Sequence, residues 1–142
     1  MLHAWRAINV GISHLLNLEF QNAGCYKDTR NRAIATLEGS DPVLDGTYRT
    51  RNDSIAKCAV AAVNRGFTMF AVQDGGWCAS SAGAPITYDK YGVSGDCRAD
   101  GEGGPWANQV YVIKSKYPIT CVAVSGNLQV HETYGTHQSR GA

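Results

Sequence analysis

Apolar and polar positions are most informative between residues 52 and 64, where the sequence is NDSIAKCAVAAVN. Apolar side chains recur there at spacings of three and four: Ile55, Cys58, Ala59, Ala62 and Val63. This periodicity predicts a helix that buries one face, with Cys58 pointing inward. Asn52, or Thr50 and Asp53 together as a capping box, would begin the helix, and Gly66 would end it.

Shorter apolar runs outside this helix predict strands. The most apolar of them is FTMFAVQ, which ends at residue 73 and is typical of a buried strand. Two more strands are predicted by AGCYKDT, which begins at residue 23, and by NQVYVIK, which ends at residue 114. Near the end of the chain, ITCVAVS and LQVHETY predict a hairpin around Gly126 and Asn127.

These elements divide the chain into three zones. Residues 1–22 form an N-terminal arm that need not belong to the fold, either as a short amphipathic helix around 12–20 or as a disordered segment. Residues 23–114 form a cysteine-rich module, and residues 115–142 form a tail in which disorder follows the hairpin. Inside the module, a loop rich in Gly, Ser and Pro covers 74–108. Loops of this length in compact domains usually have a function, and this one would need disulfides to hold it in place.

The cysteines explain how such a loop could be ordered. Their spacings are long, with no CxxC motif and no zinc-ligand cluster, which favours disulfides and an oxidising compartment. Four lie in the module, namely Cys25, Cys58, Cys78 and Cys97, and Cys121 is left over. Three pairings are open to four cysteines. We favour Cys58–Cys78, because the helix should pack on the strand that leads into Cys78, which leaves Cys25 with Cys97.

Composition narrows the class of protein. The chain has 142 residues, 44% of them hydrophobic and only 18% charged, which suits one loop-rich domain. We expect a small disulfide-stapled α+β domain, with one helix packed on a short, mostly antiparallel sheet and a long ordered loop. The net charge of +1 gives no reason to expect nucleic acid as a partner, and no apolar run reaches the ~20 residues of a membrane span.

The segment FAVQDGGWCASS raises the question of whether Cys78 is a nucleophile. A catalytic cysteine needs a base, usually histidine, within hydrogen-bond reach. The histidines all lie in the arm or the tail, at His3, His14, His131 and His137. We therefore predict that Cys78 belongs to a disulfide and that the protein is not an enzyme.

Acidic residues near the end of the loop allow a calcium site. Asp96, Asp100 and Glu102 fall close together in GDCRADGEGG, and calcium prefers oxygen ligands from such glycine-containing acidic loops. The spacing does not match an EF-hand. The other interpretation is a solvated acidic turn, and no further cofactor is expected.

Aromatic residues in the same loop allow a carbohydrate site. Flat rings can stack on pyranose faces while neighbouring polar groups bind the hydroxyls. The candidate ligand-binding residues are Trp77, Trp106, Tyr88, Tyr91, Asp74, Gln73 and Asn108. Alternatively, the two tryptophans cover the disulfides and the core. Arg30 and Arg32 could meet sulfate or carboxylate groups, or pair with local carboxylates.

Three strings, GCYKDTRNRAI, FAVQDGGWCASS and DGEGGPWANQVYVI, resemble a cysteine-rich extracellular module of secreted, multi-domain marine-invertebrate proteins. Their order is also loosely similar to the WSC domain, with the best agreement at Gly24-Cys25-Tyr26 and at Cys58. The resemblance covers residues 23–114 and implies an extracellular, carbohydrate-binding role as one module of a larger protein. We therefore expect a non-catalytic recognition module that binds glycan. The alternative is a structural matrix or adhesion module with an extracellular-matrix protein as partner, stabilised by calcium.

Overall fold

The structure is a computed structural model that describes residues 18–115, 119–124 and 127–132. The chain divides into two compact units, and the one that holds the candidate site is Phe20–Lys114. In the other unit, β5 (Ile119–Val124) and β6 (Asn127–Glu132) form a two-stranded antiparallel sheet, at the place where the tail predicts a hairpin. Cys121 lies on β5, opposite Val130.

The unit Phe20–Lys114 is built on one antiparallel four-stranded sheet with a helix packed against it. The strands, in chain order, are β1 (Glu19–Lys27), β2 (Met69–Gln73), β3 (Trp77–Ser80) and β4 (Ala107–Ser115). Their order across the sheet is β1-β4-β2-β3. The helices are α1 (Ser54–Asn64) and the one-turn α2 (Ala84–Thr87), with 3-10 turns at Pro42–Leu44 and Tyr48–Thr50. The predicted α+β class is confirmed.

Helix α1 ends as predicted but begins differently. At its C-terminus, Gly66 adopts a left-handed φ of +75°, its amide donates to Val63 O, and the Phe67 amide donates to Ala62 O. These two bonds form a Schellman motif. At the N-terminus the predicted caps are wrong, because Asp53 holds the capping position in a left-handed conformation and its side chain makes no capping bond.

Both predicted disulfides are confirmed. Cys58–Cys78 joins the helix to the sheet, and both cysteines are fully buried. Cys25–Cys97 joins β1 to the far end of the segment 74–108. That segment is not a single loop, as the sequence suggested, because it contains both β3 and α2.

The two faces of the sheet are covered differently. Side chains alternate between faces along a strand, and on one face Phe70, Val72 and Cys78 are fully buried on the side of α1. On the opposite face, Ala71 and Val110 pack in a second core. This second core also contains residues of the irregular segment after β1 and of α2, namely Ala33, Ile34 and Ala84.

The first strand extends further towards the N-terminus than expected. It begins at Glu19, whereas the sequence placed the start of the module at residue 23. Phe20 packs edge-on against Phe70, with ring centres 5.5 Å apart, and against Tyr111 at 5.7 Å. The helix considered for residues 12–20 therefore does not include residues 18–20, and the rest of it lies outside the described residues.

A buried ion pair connects the segment before α1 to the β2–β3 turn. Arg51, whose side chain is 1% exposed, donates to both carboxylate oxygens of Glu38 at 2.8 and 2.9 Å. It also donates to the carbonyl oxygens of Leu44 and Gly76, each at 2.8 Å. Glu38 in turn accepts from the amide of Cys78. Charge-assisted bonds of this kind hold the turn beside the candidate site in one position.

Among the described helices, none is long and apolar enough to cross a membrane.

Candidate functional site

A groove of about 330 Å³ lies at the end of the sheet where β2 turns into β3. We call it the tryptophan groove. It is lined by aromatic, charged and polar side chains and by one proline, namely Arg32, Tyr48, Arg49, Gln73, Asp74, Trp77, Pro105 and Trp106. Concave sites with aromatic walls and a few polar groups are the usual form of small-ligand sites.

Trp77 enters the groove because of the turn that precedes it. Asp74 and Gly75 both have positive φ, 50° and 94°, and Trp77 returns in register opposite Gln73. Position 76 has no room for a side chain, since a Cβ there would lie 2.2 Å from the carbonyl oxygen of Tyr48. Asp-Gly between two apolar runs is a hairpin signal that the sequence contained.

Strand alternation decides where the Trp77 side chain goes. Cys78 points to α1 and bonds to Cys58, so its neighbour Trp77 lies on the opposite face of the sheet. The interpretation in which Trp77 covers the Cys58–Cys78 disulfide is therefore wrong. The indole is half-buried, packed on one side against the second core and open on the other to the groove.

Arg32 lies between the two tryptophans. Its guanidinium carbon Cζ is 4.1 Å from the centre of the Trp77 ring and 4.8 Å from that of Trp106. Nη1 donates to Asp28 Oδ2 at 2.8 Å and to Gln73 Oε1 at 3.4 Å. A cation over indole faces is attractive, and more so where water is partly excluded. The three side chains therefore form one preorganised wall.

A buried polar network supports this wall from below. The Asp28 side chain has no exposed surface, and its oxygens accept from the amide of Ala33 at 2.9 Å and from Gln73 Nε2 at 2.8 Å. Gln73 Nε2 also donates to Asn108 Oδ1 at 2.7 Å. Trp77, Gln73 and Asn108 occupy adjacent positions on β3, β2 and β4, so the network continues across the sheet.

Trp106 is held in a conformation that tryptophan rarely adopts. It occupies the third position of the turn Gly104–Ala107, with Pro105 before it and a φ of +53°. A type II turn requires positive φ at this position and normally has glycine there. The Trp106 carbonyl accepts from the Asp28 amide at 2.9 Å, which fixes the turn beside Arg32, and the residue remains 49% exposed. Backbone strain in an exposed aromatic residue is characteristic of functional positions.

The outer rim of the groove is an ion-pair cluster around Asp74. Arg49 Nη1 lies 3.2 Å from Asp74 Oδ2, and Arg98 Nη2 lies 3.5 Å from Asp74 Oδ1. The Arg49 guanidinium also lies over the Tyr48 ring, with Cζ 4.9 Å from the ring centre. Sequence reasoning missed Tyr48 and Arg49 as groove residues and Arg98 as an ion-pair partner of Asp74. No local pattern shows that Arg49 approaches Asp74, which lies 25 positions further along the chain.

The structure brings together four of the seven predicted ligand-binding residues. Trp77, Trp106, Asp74 and Gln73 line the groove, and Tyr88, Tyr91 and Asn108 do not. Tyr88 packs edge-on against Tyr26, with ring centres 4.9 Å apart. Tyr91 donates from its hydroxyl to Asn31 O at 2.5 Å, and Asn108 is fully buried.

The acidic residues considered for calcium do not assemble into a ligand set. Among the described residues, no three His, Cys, Asp or Glu side chains are placed to hold a metal ion. Asp100 instead accepts from the backbone amide of Glu102 at 2.9 Å. Burial raises the pKa of Glu102, and the nearby carboxylates of Asp100 and Asp53 raise it further. The calcium hypothesis for Asp96, Asp100 and Glu102 stays a prediction without geometric support.

The comparisons with known proteins identify no relative. Models of protein families, curated proteins and solved structures give no match to this chain. These comparisons therefore contribute no assignment of function.

Proposed function

We propose that this protein is a non-catalytic, extracellular recognition module that binds carbohydrate in the tryptophan groove. The observation that carries the proposal is the pair of indoles, Trp77 and Trp106, held in fixed positions on one concave wall. A rigid aromatic face stacks on the apolar face of a sugar ring and loses little conformational entropy when it does so.

The strained turn supports a binding role for Trp106. Trp106 is half-exposed, so its side chain contributes little packing to the core, and it occupies a strained backbone position that suits glycine. Packing therefore does not explain why a tryptophan stands there. Its exposed indole face is the surface on which we place the sugar ring. Trp77 and Arg32 hold that face in orientation from behind.

The proposed location depends on the disulfides. Cys25–Cys97 and Cys58–Cys78 are typical of proteins that mature in an oxidising compartment, and small secreted domains commonly use such staples. The resemblance to extracellular cysteine-rich modules points to the same compartment, and to a role as one module of a larger protein.

A glycan array probed with the full chain tests the proposal. Wild type and Trp106→Gly are compared after circular dichroism has shown that both are folded. Glycine suits the turn, so the variant removes the indole with little cost to the fold. We expect wild type to bind a defined set of glycans and the variant to lose about tenfold or more in affinity, the equivalent of ~1.4 kcal/mol. Unchanged binding by the variant, or no binding by wild type, would contradict the proposal and favour the protein-binding alternative.

A further inference from the structure

The acceptors in the groove are already occupied by protein donors. Asp28 has no exposed surface, and both oxygens of Asp74 face arginines. The amide nitrogen of Gln73 donates to Asp28 and Asn108, and its oxygen accepts from Arg32. The polar residues that the sequence offered as partners for neutral sugar hydroxyls therefore serve the network beneath the wall.

Donors, in contrast, remain available. Arg32 uses only Nη1 for Asp28 and Gln73, and within residues 18–115 the Nε and Nη2 groups have no protein acceptor. The Arg32 side chain is 32% exposed, so solvent or a ligand can reach it. Arg49 reaches the same groove from the other side and its side chain is 67% exposed. A guanidinium keeps its charge at all physiological pH values.

The charge of the site is consistent with this excess of donors. Three arginines (Arg32, Arg49 and Arg98) and two carboxylates (Asp28 and Asp74) make up the ion pairs at the groove, which leaves three minus two, or one, positive charge. The negative charges are the less accessible members, because Asp28 is buried and Asp74 lies between two arginines. A ligand therefore meets mainly positive, donor-bearing groups.

We propose that the saccharide bound in this groove is acidic, and that its oxyanion, a carboxylate or a sulfate ester, binds the free edge of Arg32 and the guanidinium of Arg49. The inference rests on the carbohydrate-binding function proposed above and specifies its ligand class. Adjacent N–H groups of a guanidinium match two oxygens of a carboxylate or sulfate in parallel. Because the two indoles and Asp28 already fix Arg32, little further ordering is needed when the anion binds.

Calorimetric titration of the full chain with a matched set of saccharides tests the ligand class. The probes are an oligogalacturonate, the same oligosaccharide as its neutral methyl ester, and a sulfated galactan oligosaccharide of equal length. We expect the oligogalacturonate or the sulfated probe to bind on the order of 10-fold to 100-fold more tightly than the ester. The tighter of the two acidic probes identifies the oxyanion. Added salt should weaken the acidic ligand more than the ester.

Three variants localise the effect. Arg32→Lys keeps the charge and removes the planar fork, and Arg49→Gln removes the charge of a side chain that is 67% exposed. Arg30→Gln is the control, since it removes the same charge two residues from Arg32 at an exposed position outside the groove. We expect both groove variants to lose roughly tenfold in affinity for the acidic probe, and the control to lose less than about twofold. If Arg32→Lys fails to fold, Arg49→Gln against Arg30→Gln decides the question.

The outcomes separate the two proposals. If the methyl ester and both acidic probes bind equally, and the arginine variants bind like wild type, the acidic-ligand inference is wrong while carbohydrate binding stands. If none of the probes binds and the glycan array is also negative, carbohydrate binding itself is wrong, and the inference with it.

Discussion

The guanidinium of Arg32 lies against the indole of Trp77, with Cζ 4.1 Å from the centre of the ring. The two residues are 45 positions apart, and they meet because β3 sends Trp77 to the face of the sheet opposite the disulfide. Trp77 therefore both lines the groove and supports Arg32, which in turn lies over Trp106. The surface that we propose for the ligand includes the exposed indole of Trp106 and the free edge of Arg32.

Replacement of Trp106 tests the strain in the Gly104–Ala107 turn. Trp106→Gly and Trp106→Ala remove the same indole and the same contact with Arg32, and they differ in how well the new residue accepts a φ of +53°. We expect the glycine variant to be more stable than the alanine variant by roughly 0.5–1 kcal/mol in urea unfolding. An alanine variant of equal or greater stability would show that the turn is not strained.

The buried pair Arg51–Glu38 should contribute far more to stability than the exposed pair Arg49–Asp74. Arg51→Met leaves Glu38 and two backbone carbonyls without their donor, which we expect to cost about 3–5 kcal/mol. Arg49→Gln, at a largely exposed position, should cost less than about 1 kcal/mol. Urea or guanidinium unfolding of the two variants gives both free energies. Equal losses would contradict the larger contribution that we expect from the buried pair.

Gly76 should not tolerate alanine. An added Cβ would lie 2.2 Å from the Tyr48 carbonyl oxygen, a backbone atom that cannot move aside without shifting the turn beside the groove. We expect Gly76→Ala to cost roughly 3 kcal/mol or more. Gly83→Ala is the matched control, because φ there is −87° and the position is open, so its change should stay within about 0.5 kcal/mol. Thermal or urea unfolding of both variants provides the comparison.

Asp41 should make stability depend on acidic pH. Burial alone would raise its pKa, but hydrogen bonds from the Val43 amide and from the Arg65 and Asn64 side chains more than compensate, and the pKa lies below its ordinary value. A carboxyl with a lowered pKa in the folded state stabilises the protein above the unfolded-state pKa of about 4. That stabilisation is lost as the pH falls through the pKa of the folded state.

Asp41→Asn isolates this effect, because asparagine can still accept from the Val43 amide. We expect the variant to be less stable than wild type at neutral pH, and the difference to shrink as the pH falls below about 4. Urea unfolding at a series of pH values measures it. A difference that is constant with pH, or that grows in acid, would contradict the lowered pKa of Asp41.

The sequence was sufficient for features that depend on local periodicity. Cys58 repeats in step with the apolar face of α1, and the strand that follows leads directly to Cys78, so this pairing could be favoured among the three that four cysteines allow. Gly66 after the last apolar position similarly predicted the end of the helix. The prediction of the N-terminal cap failed because the segment that leads into α1 contains Arg51. The side chain of Arg51 is fixed by contacts with Glu38 and Leu44, which lie outside the local sequence pattern.

The groove was only partly predictable, because closeness in sequence is a poor guide to closeness in an irregular segment. Tyr88 and Tyr91 share the segment 74–108 with Trp77, yet they pack beside Tyr26 and Asn31. Arg49 was missed for the opposite reason, since it arrives from a 3-10 turn far along the chain. The left-handed conformation of Trp106 has no sequence signature other than Pro105 before it.

The most direct test of ligand binding in the tryptophan groove is an NMR titration that follows the indole N–H signals of Trp77 and Trp106. The chain has three tryptophans, so the signals can be assigned with single Trp→Phe variants. We predict that an oligogalacturonate or a sulfated galactan oligosaccharide shifts the Trp77 and Trp106 signals saturably, and that the larger shift belongs to Trp106. If neither signal moves at any concentration of these two saccharides or of the neutral methyl ester while the protein remains folded, the groove is not a carbohydrate site.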